Sequence, residues 1–285
     1  LGASMKLVSA VQDIPELTKD TVHLRDEQEL LGKINKIIKD GHNNLQIVTD
    51  FDHTLTRHSM DNGSTVLTSF GMFRECPSIP QHYKDEDNRL SGIYKPIESD
   101  PVMPVEQKIK HMIDWYVAAH ALLSLFEYQY FRKGVPDLIS WSAQNNVPVL
   151  VFSAGLGESV VAALAAADFQ QPNVKVVSNF LAIDAEDNIV GIKGEVIHTY
   201  NKNEAAIKDT EYYSMVQRRP NVLLMGDNIG DAGMAQGMDH CEVVIKIGFL
   251  GRDTEGNLAN YLDKFDIVLV HDPTMDIVNA ILKLL

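Results

Sequence analysis

The sequence has little cysteine and no long apolar run. Its two cysteines, Cys76 and Cys241, form no CxxC or Cys/His pattern, which disfavours a disulfide framework and a zinc site and fits a reducing, intracellular compartment. The longest apolar runs, such as residues 147–152, are too short to span a bilayer. No signal-peptide pattern is visible, so we expect a cytoplasmic protein without a membrane partner.

Positive charge is also scarce. The 285 residues contain 25 Lys and Arg against 39 Asp and Glu, a formal net charge of −14. A chain this acidic repels nucleic acid and anionic membranes at long range, so we expect no nucleic acid polymer as a partner. An anionic substrate would need a local cation, such as a metal with a lysine. The oligomeric state stays open, with a monomer favoured.

Short β-branched apolar runs alternate with segments of helical spacing. The runs are residues 45–49, 147–152, 174–177, 222–225, 243–247 and 267–270, and the helical segments include 22–40, 159–168 and 204–216. This alternation predicts an α/β fold with a Rossmann-like, doubly wound parallel sheet. Residues 180–200 alternate like strands and predict a β-hairpin with its turn at Asp187 and Asn188.

Residues 57–142 separate the first predicted strand from the second and are too long for one crossover. Within them, residues 104–130 have helical spacing with Pro104 near the first turn. We therefore expect an inserted, mainly helical cap over 57–142 and a catalytic core formed by 20–56 and 143–285.

Two acidic motifs directly follow apolar runs. The first is D-F-D-H-T at 50–54, and the second is G-D-N-I-G-D at 226–231. In an open parallel sheet, such positions face the crevice that binds ligands. One carboxylate of the first motif can attack phosphorus while the other donates and accepts protons. Asp227 and Asp231 add carboxylates, and such a cluster needs a cation, for which Mg²⁺ is suited.

Two further signals are weaker when each is taken alone. Ser153, in V-F-S-A-G, can hold phosphate together with the amides of Ala154 and Gly155, although a helix cap is the simpler interpretation. Lys202, in N-K-N-E, can supply a cation, although most lysines are merely solvated. The ordered series of acidic motif, serine, lysine and second acidic motif favours a phosphoryl-transfer site over four unrelated features.

This ordered set resembles the haloacid dehalogenase-like superfamily, and longer stretches resemble the cytosolic 5′-nucleotidase III (pyrimidine 5′-nucleotidase) family within it. The resemblance covers about residues 20–285. These stretches are V-T-D-F-D-H-T-L-T-R (48–57), E-S-D-P-V-M-P-V-E-Q-K (98–108), P-V-L-V-F-S-A-G-L-G (148–157), N-V-K-V-V-S-N-F (173–180), G-E-V-I-H-T-Y-N-K-N-E (194–204) and L-L-M-G-D-N-I-G-D (223–231).

The resemblance implies a haloacid dehalogenase-type core and a Mg²⁺-dependent 5′-nucleotidase acting on pyrimidine or 7-methylguanosine monophosphates. It implies Asp50 as nucleophile and Asp52 as general acid and base. Mg²⁺ would be held by the Asp50 carboxylate, the Asp52 main-chain carbonyl and Asp227, with Asp231 in support. The residues implied to bind substrate are Ser153, Ala154 and Lys202 for the phosphate and Glu98 for the nucleobase.

Three departures from the family pattern all concern the cap. Ala119 stands where relatives often carry a ligand-contacting serine, and Ile109 replaces what is often an aromatic residue. The stretch from residue 120 to 153 is also shorter than in the family. These departures leave the preferred nucleobase open, whereas the residues for phosphoryl transfer are complete.

Two other functions remain as alternatives. A small-metabolite phosphatase, such as a phosphoserine phosphatase, would use the same core with a helical cap. A non-catalytic nucleotide-binding protein would have no chemical need for Asp50, Asp52, Lys202 and Asp227 together. A dehalogenase is disfavoured because it needs neither an acid at Asp52 nor a metal at Asp227.

Overall fold

The structure, a computed structural model, describes residues 7–74, 81–100, 102–104, 107–108, 111, 131–183, 189–208, 210–252, 254–271 and 274–285. Within these ranges, no helix combines the length and the apolarity needed to cross a membrane. The strands are β1 (Val22–Leu24), β2 (Leu45–Thr49), β3 (Val149–Leu156), β4 (Val174–Asn179), β5 (Leu181–Ile183), β6 (Ile189–Ile192), β7 (Asn221–Gly226), β8 (Val243–Leu250) and β9 (Ile267–Val270). The helices are α1 (Glu27–Asp40), α2 (Ser69–Arg74), α3 (Gln81–Ser99), α4 (Val135–Gln144), α5 (Gly157–Ala166), α6 (Glu204–Ile207), α7 (Glu211–Val216), α8 (Thr254–Lys264) and α9 (Asp276–Leu282).

Seven strands form the main sheet in the order β1-β9-β8-β7-β2-β3-β4. All neighbouring pairs are parallel except β1 and β9, which are antiparallel. Strand β2 lies between β7 and β3 because Thr49 pairs with Met225 on one side and with Val151 on the other. The predicted α/β class with a mainly parallel sheet is confirmed.

Both faces of the sheet are buried, as a parallel sheet with helices on each side requires. Ile47 of β2 packs into one apolar cluster and the next residue, Val48, into the other. Helix α1 covers the first face with apolar side chains at helical spacing. It begins at the cap Asp26, whose side chain accepts the amide of Glu29, and ends at Gly41, where φ is +74°.

The prediction of one helix over residues 22–40 is wrong at its start. Val22–Leu24 forms the edge strand β1, which pairs with β9. Three residues are too few to distinguish a strand from a helix by periodicity, and the partner strand lies far along the sequence. The predicted hairpin within 180–200 is present as the antiparallel pair β5–β6, while its predicted turn at Asp187 and Asn188 lies outside the described residues.

The long insertion leaves and re-enters the core at one place. Thr56 forms an antiparallel bridge with Phe131, and the Arg132 amide donates to the Leu55 carbonyl oxygen at 2.8 Å. The described part of the insertion is helical in α2 and α3, while most of the predicted helix over 104–130 lies outside the described residues. Helix α4 packs its apolar side chains into the first core cluster. The division into core (20–56 and 143–285) and cap (57–142) stays a prediction.

Candidate active site

The ends of three adjacent strands bring the predicted residues together. Asp50 directly follows β2 and Asp227 directly follows β7, the neighbouring strand. The Asp50 amide continues the ladder by donating to the Met225 carbonyl oxygen at 3.0 Å. Ser153 lies in β3, on the other side of β2. The carboxyl edge of a parallel sheet therefore collects the carboxylates and the serine in one crevice.

Lys202 joins two buried aspartates. Its Nζ lies 2.5 Å from Oδ1 of Asp50 and 2.8 Å from Oδ1 of Asp231. All three side chains are almost fully buried. Burial opposes the charge of Lys202, but the two carboxylates outweigh it and raise its pKa. Lys202 is therefore a buried ammonium at the centre of the crevice, and the weakest of the sequence signals proves to be a central contact.

Asp231 is fixed by the local turn as well as by Lys202. Its Oδ2 accepts the Asn228 amide at 3.0 Å, so both carboxylate oxygens are engaged. The close packing also requires a glycine at 226, because a Cβ there would lie 2.3 Å from the Asp231 Cβ. These contacts fit the predicted supporting role, which itself stays a prediction.

Asp227 is the carboxylate left for a cation. Carboxylate oxygens of Asp50, Asp227 and Asp231 lie within 4.8 Å of one another. Within the described residues no hydrogen bond reaches the Asp227 carboxylate, and Tyr261 donates instead to its main-chain oxygen at 2.6 Å. Burial, with Asp50 and Asp231 nearby, raises the pKa of Asp227 well above its usual range. Such a site favours a bound cation, and a set of hard oxygen ligands suits Mg²⁺.

The pKa of Asp50 depends on the same charged groups. Burial raises the pKa of its carboxyl, Lys202 opposes this shift, and Asp231 adds to it. Because the ammonium group of Lys202 faces the carboxylates of both Asp50 and Asp231, the protein groups alone leave excess negative charge at the end of β2. A divalent cation would reverse that excess and favour the ionised form of Asp50.

Asp52 is held by a residue that the sequence analysis did not single out. The Ser69 amide donates to Oδ1 of Asp52 at 2.6 Å, and the Ser69 hydroxyl donates to Oδ2 at 2.6 Å. Burial raises the pKa of Asp52 to about 6 even though both hydrogen bonds oppose the shift. Asp52 therefore titrates in the range that a general acid and base needs.

The predicted phosphate-binding residues lie at an irregular part of β3. The register with β4 shifts between Phe152 and Leu156, so regular pairing is interrupted around Ser153 and Ala154. Both residues are buried, the Ser153 hydroxyl accepts the Gly155 amide at 3.0 Å, and the Ala154 carbonyl oxygen accepts from Asn179 at 2.8 Å. Ser153 and this part of β3 thus lie beside Asp52, since a Cβ at Gly155 would lie 2.8 Å from Asp52 Oδ2.

Glu98, near the end of α3, contacts Thr199 and Tyr200, which lie just before Lys202 in the chain. Its Oε1 accepts the Thr199 hydroxyl at 3.0 Å, and its main-chain oxygen accepts from Lys108 Nζ at 3.0 Å and from the Tyr200 hydroxyl at 3.2 Å. Burial raises the pKa of Glu98, and the Thr199 hydrogen bond opposes that shift. The other two predicted cap positions, Ile109 and Ala119, lie outside the described residues.

Sequence reasoning missed Ser69 and Thr199 for the same reason. Neither lies in an acidic motif or at the end of an apolar run, and each acts through a partner brought close only by folding. Thr199 lies within the stretch 194–204 that resembles the family, but only Lys202 was singled out there. Ser69 belongs to the first part of the insertion, where the sequence shows no clear periodicity.

The chain is similar to known proteins over nearly its whole length. The family model described as pyrimidine 5′-nucleotidase (UMPH-1) matches residues 53–285. A 7-methylguanosine phosphate-specific 5′-nucleotidase of Drosophila melanogaster is 41% identical, with the alignment covering 96% of this chain and 90% of the relative. The Homo sapiens protein of the same description is 33% identical, with 95% of each chain covered.

A solved structure is similar over nearly the whole chain. It is a crystal structure of cytosolic 5′-nucleotidase IIIB bound to cytidine, with a TM-score of 0.91. Its sequence is 40% identical, and the match covers 97% of both chains. The described fold and the predicted family therefore agree across both the core and the described part of the insertion.

Proposed function

The chain belongs to the pyrimidine 5′-nucleotidase (UMPH-1) family, and from this premise we propose that it hydrolyses nucleoside 5′-monophosphates to nucleoside and phosphate. The enzyme class is that of the 5′-nucleotidases. Its relatives are named for pyrimidine or 7-methylguanosine nucleotides, and the similar structure holds cytidine. We propose both nucleotide types as candidate substrates. The name "cytosolic" of that structure supports a cytoplasmic location.

One observation carries the proposal: Asp50, Lys202 and Asp231 form a buried ion cluster directly beside Asp227. Removing charges from water is costly, so a cluster with excess carboxylate is a poor element for stability alone. It suits a site that takes a metal ion and a dianionic phosphate. Glu98 reaches the neighbouring Thr199 and supplies an acceptor for a base.

In the proposed first step, Asp50 attacks the phosphorus atom in line with the bond to the ribose. A bond forms between the Asp50 carboxylate oxygen and phosphorus, and the bond from phosphorus to the ribose 5′ oxygen breaks. The electron pair stays on the 5′ oxygen, which takes a proton from Asp52. Ser153, the Ala154 amide and Lys202 hold the phosphoryl oxygens during this transfer.

In the second step, the aspartyl phosphate is hydrolysed. Asp52, now a carboxylate, takes a proton from a water molecule as that water attacks phosphorus. The bond between phosphorus and Asp50 breaks, and the electron pair returns to the Asp50 carboxylate. Phosphate leaves. Asp52 now carries the proton taken from water, so the enzyme is back in its starting state.

Mg²⁺ fits the residues present. Asp50 and Asp227 would supply carboxylate ligands and Asp52 its main-chain carbonyl, with Asp231 in support of the site. When bound, the ion would neutralise negative charge on the phosphoryl oxygens. The carboxylate spacing within 4.8 Å supports this assignment, as does an Asp227 carboxylate that no hydrogen bond reaches in the part of the chain that the structure describes.

Phosphate release across a substrate panel tests the proposed function. The panel is CMP, UMP, AMP, GMP, 7-methyl-GMP and phosphoserine, each with Mg²⁺. We expect kcat/KM to be highest for CMP, UMP or 7-methyl-GMP and to exceed that for phosphoserine by about a hundredfold, or about 2.7 kcal/mol. Preference for phosphoserine would favour a small-metabolite phosphatase. Release from no substrate would favour a non-catalytic binding protein.

A further inference from the structure

One residue of the insertion fixes both oxygens of the predicted acid. Ser69 is the first residue of α2, and it lies 17 positions beyond Asp52 in the chain. Its amide and its hydroxyl donate to different oxygens of the Asp52 carboxylate, each at 2.6 Å. A carboxylate held at both oxygens by one rigid residue cannot rotate about its terminal bond without losing a hydrogen bond.

The Ser69 hydroxyl is itself fixed by the core. It accepts the Leu156 amide of β3 at 3.3 Å, and Ser69 is fully buried. A Cβ at Gly155 would lie 2.0 Å from the Ser69 oxygen, so only glycine allows this approach. The insertion, Asp52 and the part of β3 with the predicted phosphate-binding residues therefore meet at one hydroxyl group.

Capping of α2 does not account for the hydroxyl contact. A cap needs acceptors for the first free amides of the helix. The Asp52 Oδ1 accepts the Ser69 amide and the Thr68 hydroxyl accepts the Gly71 amide at 3.1 Å. The Ser69 hydroxyl adds nothing to these bonds, since it is a donor aimed at the second oxygen of Asp52.

We propose that Ser69 is a positioning residue that holds the Asp52 carboxyl in the orientation from which it serves the leaving oxygen. The inference rests on the proposed function, because it assigns a task within that reaction. It also gives the insertion a part in the chemistry, since α2 enters the reaction through this residue. Ser69 touches neither the phosphoryl group nor the nucleoside in this assignment.

The chemistry provides a selective readout. A ribose 5′ oxygen leaves poorly and needs the proton of a well-placed Asp52 when its bond to phosphorus breaks. The p-nitrophenolate ion is a stable anion and leaves without that proton. Loss of Ser69 therefore slows the first step for a nucleotide much more than for p-nitrophenyl phosphate, whereas general damage to the fold slows both.

The experiment compares Ser69→Ala and Ser69→Cys with wild type, using the full chain with Mg²⁺. Alanine removes the hydroxyl, and cysteine fills the space with a much weaker donor. The comparison uses kcat/KM, which reports the steps up to departure of the leaving group and so leaves out the second step, in which Asp52 serves both substrates. We expect kcat/KM for the best nucleoside monophosphate to fall about tenfold or more in both variants. We expect kcat/KM for p-nitrophenyl phosphate to fall less than about threefold. Ser142→Ala, which removes another fully buried hydroxyl bonded to the Ile139 carbonyl oxygen, is the matched control and should show no such split.

The results also separate the two claims. If wild type hydrolyses nucleotides and the Ser69 variants slow both substrates equally, or slow neither, the positioning role is overturned and the proposed function stays intact. A wild type that releases phosphate from p-nitrophenyl phosphate but from no nucleotide overturns the proposed function, and the positioning role fails with it. A split between the substrates that Ser142→Ala reproduces also overturns the positioning role.

Discussion

The ammonium group of Lys202 lies 2.5 Å from Oδ1 of Asp50, although the two residues are 152 positions apart in the chain. The same ammonium lies 2.8 Å from Oδ1 of Asp231. One buried cation thus faces two buried carboxylates, and Asp227 adds a third within the same cluster. The cluster has excess negative charge until a cation binds, and a dianionic substrate would add more.

Mg²⁺ should therefore stabilise the folded protein as well as activate it. A ligand that binds only the native state adds about 2.7 kcal/mol at a hundredfold excess over its Kd. We expect the Tm to rise with Mg²⁺, and EDTA to remove both this rise and the activity. Asp227→Asn should abolish the Mg²⁺-dependent rise, whereas Asp239→Asn, an exposed aspartate, should keep it. Full activity after exhaustive chelation would refute the metal site.

Glu98 should control which nucleotide is used without affecting the core chemistry. We expect Glu98→Ala to raise KM for the preferred nucleotide. The rise should correspond to a loss of about 1–3 kcal/mol in binding free energy, the cost of losing a hydrogen bond to a buried partner. Hydrolysis of p-nitrophenyl phosphate, which has no base, should change little. Glu195→Ala removes an exposed acid and should affect neither substrate.

Two outcomes would contradict this role. Equal slowing of both substrates would place Glu98 in the fold, where its contact with Thr199 at 3.0 Å matters. No effect on either substrate would remove the base assignment and favour the small-metabolite phosphatase.

The strands that carry the site could be predicted because their signal is local. Residues 45–49 form a short, fully buried run followed at once by an acidic motif, and β2 has these bounds. The edge strand β1 could not be predicted, since only its antiparallel partner β9 makes Val22–Leu24 extended. An apolar pattern of three residues is compatible with either structure.

The same distinction applies to the site. Asp50 and Asp227 could be placed from their positions after strands, because parallel strand ends meet at one edge. The hold of Ser69 on Asp52 could not, since it depends on how the insertion folds back onto β3. A serine that acts through tertiary contact leaves no periodic or motif signal. The sequence therefore indicated the residues of the candidate site better than the contacts that orient their side chains.

His53 should make the stability of the fold depend on pH. Its ring lies 5.0 Å from that of His58, and burial lowers its pKa from 6.5 to about 4. Between these values the unfolded chain binds a proton that the folded chain does not, so stability is present above pH 6.5 and is lost as pH falls towards 4. The loss between pH 7.5 and pH 5 should be roughly 2 kcal/mol.

The variant His53→Asn should remove this part of the pH dependence. Asparagine tolerates the positive φ of 57° at this position. The free energy of unfolding, measured with urea at both pH values, should fall less with acid in His53→Asn than in wild type. His271→Asn, at an exposed residue with φ of 52°, should keep the wild-type dependence. Equal pH dependence in wild type and His53→Asn would contradict the account.

The central claim is that Asp50 carries the phosphoryl group. Capture of that intermediate tests it most directly. The variant Asp52→Asn lacks the base for the second step, while p-nitrophenyl phosphate leaves without an acid in the first. We expect an initial burst of about one p-nitrophenolate per enzyme. After acid quenching, the mass of one phosphoryl group should lie on the peptide that contains Asp50.

The same measurement on Asp50→Asn supplies the contrast. An amide of the same shape cannot attack phosphorus, so this variant should show no burst, no modified peptide and a loss of nucleotide hydrolysis of several orders of magnitude. Circular dichroism should show that its fold is intact. Phosphate release by Asp50→Asn within about tenfold of wild type, or about 1.4 kcal/mol in barrier, or a phosphoryl group found on another residue, would contradict the account.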